Sequence, residues 1–160
     1  MSRDAVESDP RVKQVIPYTL VRHEGRYLSY QRAGLGQERR LWGRHSVGIG
    51  GHVTVVDGQF GVSGSAQDIV RNAAERELQE EIHVGLPALR SIGLLNDDSD
   101  PVGAVHFGVV FLADASGPDV QPREPALTVD MSYLDCETLR SRVRFYEPWS
   151  QLLINALPLT

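Results

Sequence analysis

A single cysteine, Cys136, excludes an internal disulfide. It reads as a small helix residue rather than a nucleophile. No apolar run reaches the about 18 residues that span a bilayer, and no secretory apolar segment opens the chain, so no membrane partner is expected and a cytoplasmic location is the default. Positive charge is also short. Sixteen Lys and Arg against 21 Asp and Glu give a formal net charge of −5, which argues against sequence-independent binding to long nucleic acid, since that needs a basic surface. Small phosphorylated ligands held by a local arginine cluster stay open. Internal repeats and low-complexity segments are missing. What is present, 41% hydrophobic and 23% charged residues over 160 positions, fits one globular domain with a sizeable core.

Residues 1–10 are polar, end in Pro10 and read as a flexible tail, with a single domain over 11–160. Val12 to Val21 and Arg26 to Gln31 flank His23-Glu24-Gly25 and predict a hairpin. Gly34 to Arg40 reads as a loop, and Trp42 to Val56 contains a short strand entering Gly50-Gly51. Asp57 to Gly64, with three glycines, reads as a mobile loop. Ser65 and Asp68 have capping-box spacing, so a helix is predicted from about Ala66 to Ile82, with Pro87 barring its continuation. Strands are predicted over Leu89 to Leu95, Val102 to Leu112 and Ala126 to Tyr133. A second box, Ser132 to Asp135, precedes a short helix ending near Val143, and Pro148 opens a last helix to Leu157. Strands on both sides of a central helix give an α/β layered domain.

The most informative stretch is Arg76-Glu77-Leu78-Gln79-Glu80-Glu81-Ile82-His83-Val84. At about 100° per residue, Glu77, Glu80 and Glu81 share an arc of roughly 100°, with Arg76 about 40° from Glu80. Like charges at such spacing repel by a few tenths of a kcal/mol per pair, and two of them stand in the last turn, where the helix dipole disfavours negative charge. The helix contains no lysine, and its apolar stripe (Ala74, Leu78 and Ile82, with Val70 at the edge) borders the carboxylates directly. A hard divalent cation is the natural compensator.

This stretch resembles the Nudix (MutT-like) hydrolase signature, G-x5-E-x7-R-E-U-x-E-E-x-G-U, where U is a bulky aliphatic residue. Arg76, Glu77, Leu78, Glu80, Glu81 and Val84 match its second half, and Gly50-Gly51-His52-Val53 is similar to its glycine entry. Asp68, eight residues before Arg76, takes the place of the first acid. That leaves roughly eleven extra residues within Thr54 to Ser65. His83 replaces the last glycine, where a left-handed cap is expected, and Gly85 is placed to take over the turn. The long loop and the Asn96 to Gly103 stretch resemble a bacterial branch described as predicted phosphoesterases.

The resemblance covers about residues 12 to 157 and implies an α/β/α sandwich with a mixed central sheet. It implies Mg²⁺ or Mn²⁺ held by Glu77, Glu80 and Glu81, with Asp68 and a backbone carbonyl at Gly51 as further ligands, and Arg76 orienting a glutamate. Arg32, Arg39 and Arg44, with Gly51, are the substrate-binding candidates. The general base is open among a helix glutamate, Asp97, Asp98 and Glu124. His52 and His106 read as packed or hydrogen-bonded strand residues. The implied activity is hydrolysis of the pyrophosphate linkage in a nucleoside diphosphate joined to another moiety. A non-catalytic nucleotide-sensing or partner-binding module is the alternative, and isoprenoid diphosphate isomerisation lacks a well-placed cysteine. Relatives are commonly dimeric, so a homodimer is among the expected assemblies.

Overall fold

A computed structural model describes residues 9–33, 43–58, 65–85, 88–124 and 128–158. The chain enters through β1 (Gln14–His23) and turns back into β2 (Arg26–Arg32). Glu24 and Gly25, at φ 48° and 77°, form the tight turn. Positive φ at both turn residues gives the twist that a two-residue hairpin needs. Two short strands follow, β3 (His45–Ser46) and β4 (Gly48–Gly50), and then the long helix α1 (Ala66–Glu81). Next come β5 (Ile82–His83), β6 (Leu89–Leu95), β7 (His106–Asp114), β8 (Gln121–Pro122) and β9 (Thr128–Leu134). Two helices close the chain, α2 (Cys136–Ser141) and α3 (Pro148–Ala156).

Seven strands form one sheet along β3-β2-β1-β7-β6, with β4 added to β1 and β9 to β2. β1 and β7 run parallel from Gln14↔His106 to Arg22↔Asp114, and the other pairings are antiparallel, so the sheet is mixed. β1 is buried without a break from Ile16 to Val21, as a central strand covered on both faces should be. On one face Ile16, Tyr18, Leu20, Val110 and Leu112 pack with Leu139, Trp149 and Ile154 from α2 and α3. On the other, Val21, Leu28, Ile49, Phe111 and Ala113 pack with Ala74 and Leu78 of α1. Leu78 is 1% exposed, so Leu78→Ala would cost about 2–5 kcal/mol and loosen α1 from its bed. Among the described residues β6 ends one edge of the sheet, with Ile92 and Leu94 exposed and its register against β7 slipping between Ser91 and Gly93.

A buried polar staple holds α3 to the sheet. Glu147 caps the helix by accepting from the backbone N–H groups of Trp149 and Ser150, and it also accepts from Tyr18 Oη and Ser150 Oγ. Burial and then the Glu147 charge push the Tyr18 hydroxyl well above its ordinary pKa, so Tyr18 stays a donor. Gly48 makes room for this ring, because a Cβ there would stand 1.9 Å from Tyr18 Cε1.

Several local expectations change. In place of one strand from Val102, the chain forms a 3₁₀ turn over Gly103–Val105 and begins β7 at His106. Asp100 Oδ1 draws the N–H groups of Val102 and Gly103 inward and out of the ladder. Asp135 itself caps α2 by accepting from Thr138 N–H, so Ser132 stays in β9. α1 ends without a left-handed cap. Ile82 is extended (φ −136°, ψ 153°), and Ile82 and His83 pair with Pro122 and Gln121. A strand partner thus satisfies the chain where glycine would otherwise turn it. The Gly34 to Arg40 loop, Trp42 and Pro87 lie outside the described residues.

Candidate active site

The acidic helix begins as its sequence suggests. Ser65 Oγ accepts the Asp68 N–H at 3.2 Å and donates to Asp68 Oδ2 at 2.6 Å, which fixes the first turn. The apolar stripe then locks the rotation of α1, with Ala74, Leu78 and Ile82 buried against the sheet. Rotation fixed this way carries Arg76 and Glu77 to the edge of the core, and leaves Glu80 and Glu81 at the helix end beside β5.

Arg76 is the hub. Its Nη1 donates to Glu77 Oε1 at 2.8 Å and to Glu80 Oε2 at 3.1 Å. Its Nη2 donates to the His52 carbonyl at 2.9 Å. Its outer edge grips Asp57 in a forked pair, Nε to Oδ1 at 2.8 Å and Nη2 to Oδ2 at 3.1 Å. Asp57 is 2% exposed and also accepts from Thr54 N–H and Oγ1. Burial alone would raise its pKa, but the Arg76 and Thr54 hydrogen bonds outweigh burial and hold the carboxyl below its ordinary value. The same bond to Asp57 drives the Arg76 pKa up. Such a forked, charge-assisted pair fixes a direction as well as a distance.

Asp57 corrects the place given to Asp68. Asp68 lies eight residues up α1 from Arg76, about 12 Å along the axis at 1.5 Å per residue, and its carboxylate engages Ser65. It therefore stands too far from Glu77, Glu80 and Glu81 to join them around one ion. Asp57 follows Gly51 at the signature's own x5 spacing, so the extra residues fall between this acid and Arg76. That spacing was the signal in the sequence. Nor is the start of the loop a mobile segment: Val55–Gly58 is a 3₁₀ turn tied down by Asn72 Nδ2, which donates to the Asp57 carbonyl.

Gly51 faces Glu77 so closely that a Cβ would stand 1.9 Å from the Glu77 Cδ and 2.2 Å from each oxygen. Only glycine admits this approach. The Glu77 carboxyl is raised above its ordinary pKa, by burial first, against the lowering pull of Arg76. Glu81 is raised too, again by burial first, with Arg32 pulling down and Glu77 and Glu124 pushing up. Glu124 owes its place to the β5–β8 ladder, where the neighbouring Arg123 N–H donates to the Glu81 carbonyl at 2.9 Å. Burial thus disfavours the ionised forms of Glu77 and Glu81 despite the pull of Arg76 and Arg32, and a hard divalent cation among their oxygens would offset it. Among the described residues no three His, Cys, Asp or Glu side chains form a ready-made cage. Mg²⁺ needs only one or two carboxylates, because it keeps several waters.

The substrate-binding candidates separate. Arg32 lies on the α1 face of β2, under the influence of Tyr30 and Glu81, and its Nε is shielded from solvent with no partner among the described residues. Arg44 shares a backbone bond with Arg32 but sends its exposed side chain to the Arg144 carbonyl. Arg39 lies outside the described residues. Asp98 is paired with Lys13, and Asp97 caps a turn at Ser99. His52 and His106, far apart in sequence, meet with ring centroids 5.7 Å apart.

No protein-family model matches the chain. It is 32% identical over 165 residues to protein YmaB of Bacillus subtilis, across 98% of this chain and 77% of that protein. Among solved structures, Tm1382, described as a candidate Nudix hydrolase, superimposes with a TM-score of 0.77 at 29% identity, covering 98% of this chain and 79% of that one. The Nudix domain of Shewanella oneidensis NrtR, complexed with ADP ribose, has the same fold at a TM-score of 0.62 and 16% identity, over 97% and 96% of the two chains. With the acidic helix, its arginine hub and the glycine beside Glu77 in the arrangement described, this chain belongs to the Nudix (MutT-like) hydrolase family.

Proposed function

We propose that the protein hydrolyses the pyrophosphate linkage of a nucleoside diphosphate joined to another moiety, with Mg²⁺ or Mn²⁺ held by Glu77, Glu80 and Glu81. The observation that carries this reading is the Arg76 hub, which sets Glu77 and Glu80 in fixed directions beside a glycine that leaves their oxygens open to a ligand. A hard divalent ion supplies positive charge against the pyrophosphate oxygens and acidifies an attacking water. Gly51 lets backbone and phosphate approach each other, and its carbonyl is the backbone ligand in this reading. Arg32, whose charge reaches Glu81, supplies the positive charge for a phosphate oxygen in this reading. Either Glu124 or a helix glutamate accepts the water's proton, since Glu124 is the loop acid whose charge reaches Glu81. The ADP ribose bound to the NrtR domain belongs to the proposed substrate class. Among the described residues no helix is long and apolar enough to cross a membrane.

The test is release of nucleoside monophosphate from a panel of nucleoside diphosphate conjugates with Mg²⁺ or Mn²⁺. Turnover that stops in chelator and in Glu81→Gln supports the reading. Equal release in either condition, or tight nucleotide binding with no turnover under any metal, overturns it.

A further inference from the structure

We propose a second cation site on the sheet face away from α1, in which His52 and His106 share a first-row transition ion. Gln14 is opposite His106 in the parallel β1–β7 ladder. It alternates with Ile16, Tyr18 and Leu20, which pack under α2 and α3, so by the two-residue period of a strand Gln14 and His106 emerge on that face. The glutamates belong to α1 on the opposite side. The two centres are therefore separated by the sheet, though the backbone of His52 touches both, because its carbonyl accepts from Arg76.

Three observations support an ion here. The imidazole centroids are 5.7 Å apart with ring planes at 65°, and two imidazoles sharing one ion at about 2.0–2.1 Å from each nitrogen have centroids roughly 5 to 6 Å apart. His106 Nδ1 lies 2.7 Å from the Val102 carbonyl and so donates to it. That bond fixes the tautomer, leaving a lone pair on Nε2, the usual preparation of a metal-ligating histidine. Finally, Gln14 Nε2 is shielded from solvent with no partner among the described residues. An amide of either orientation there serves a ligand shell, its oxygen directly or its N–H₂ through a bound water. The nearby Lys13 ammonium is already committed to Asp98 and the Gly103 carbonyl. Imidazole favours Zn²⁺, Cu²⁺ or Ni²⁺, whereas the glutamates favour Mg²⁺ or Mn²⁺, so ligand chemistry sorts the ions between the two faces.

The experiment is calorimetric titration of the full chain with Zn²⁺ in saturating Mg²⁺, alongside Cu²⁺ paramagnetic resonance. About one equivalent should bind, weakened by about tenfold or more in His106→Asn and in His52→Asn but not in Glu80→Gln, with nitrogen hyperfine structure from the imidazoles. Melting curves establish that each variant is folded, and His106→Gln stands in where His52→Asn is not. No Zn²⁺ uptake, uptake that survives the histidine substitutions, or uptake lost in Glu80→Gln alone would each overturn the site. Only loss in Glu80→Gln touches the hydrolase reading, and it would support the glutamate site, so failure here and failure of the hydrolase reading are separate events.

Discussion

Replacing Gly51 with alanine should separate activity from stability. The added methyl would sit 1.9 Å from the Glu77 Cδ, whereas carbon atoms rest about 3.5 Å or more apart, so the carboxylate must retreat by about 1.5 Å. Glu77 is the end of a flexible side chain and its head can swing. The fold therefore loses only the low end of the overpacking range, about 1 kcal/mol, or roughly 2–4 °C of melting temperature for a chain of this size. The site loses far more. A retreating Glu77 gives up its 2.8 Å bond to Arg76, and a displacement of about 1 Å at a reacting centre costs on the order of 100-fold in rate. Melting curves and metal-dependent kcat/KM on the same preparation read the two effects. Gly48→Ala is the contrast, because the atom it meets at 1.9 Å belongs to the buried Tyr18 ring, so its damage should appear first in stability. Near-normal turnover by Gly51→Ala, or an activity loss no larger than its unfolded fraction, would refute the reasoning.

Asp57→Asn should destabilise by roughly 2–3 kcal/mol, because a buried charge partner of Arg76 disappears. The Asp57 carboxyl is held below its ordinary pKa, so its stabilisation is complete at neutral pH and is lost as acid takes the pH down through the folded value. The stability gap between native protein and variant should therefore narrow below about pH 4, and gaps that stay constant in denaturant titrations across that range would contradict it. Glu81 has the opposite sign, since its raised pKa means the ionised form is disfavoured by folding. In metal-free buffer Glu81→Gln should melt higher than the native protein at neutral pH, and the advantage should vanish below about pH 4. Added Mg²⁺ should raise the native melting point more than the variant's, and equal shifts would count against the glutamate site. Arg32→Ala should raise KM by about tenfold or more, as loss of a charge-assisted phosphate contact requires, while Arg44→Ala leaves steady-state kinetics near normal. The reverse pattern would move the phosphate contact to Arg44.

The acidic helix was legible because its information is local. Its cap, its stripe and the Arg76 to Glu81 spacing lie within one element, and the structure keeps all three. The β1–β2 hairpin was legible for the same reason, its turn chemistry being contained in Glu24-Gly25. Non-local geometry was hidden. The partner of Arg76 is separated from it by the extra loop residues, so spacing counted back from the arginine reached Asp68, whereas counting forward from Gly51 reaches Asp57. His83 could not announce an extended helix exit, because the strand that receives it comes from residues 121–122. Glu124 gains its place beside Glu81 through that same pairing. The meeting of His52 with His106 depends on the sheet bringing distant strands together, which period-2 patterns along each strand do not encode.

The register slip in β6 has a consequence for crowded solutions. An outermost strand with bare Ile92 and Leu94 would ordinarily invite a neighbouring molecule to zip alongside it. A bulge interrupts the row of outward donors and acceptors, so an incoming straight segment finds matching groups for only part of its length. Straightening that strand, by deleting Ile92, should leave the monomer's sheet paired yet make concentrated samples prone to fibrous association.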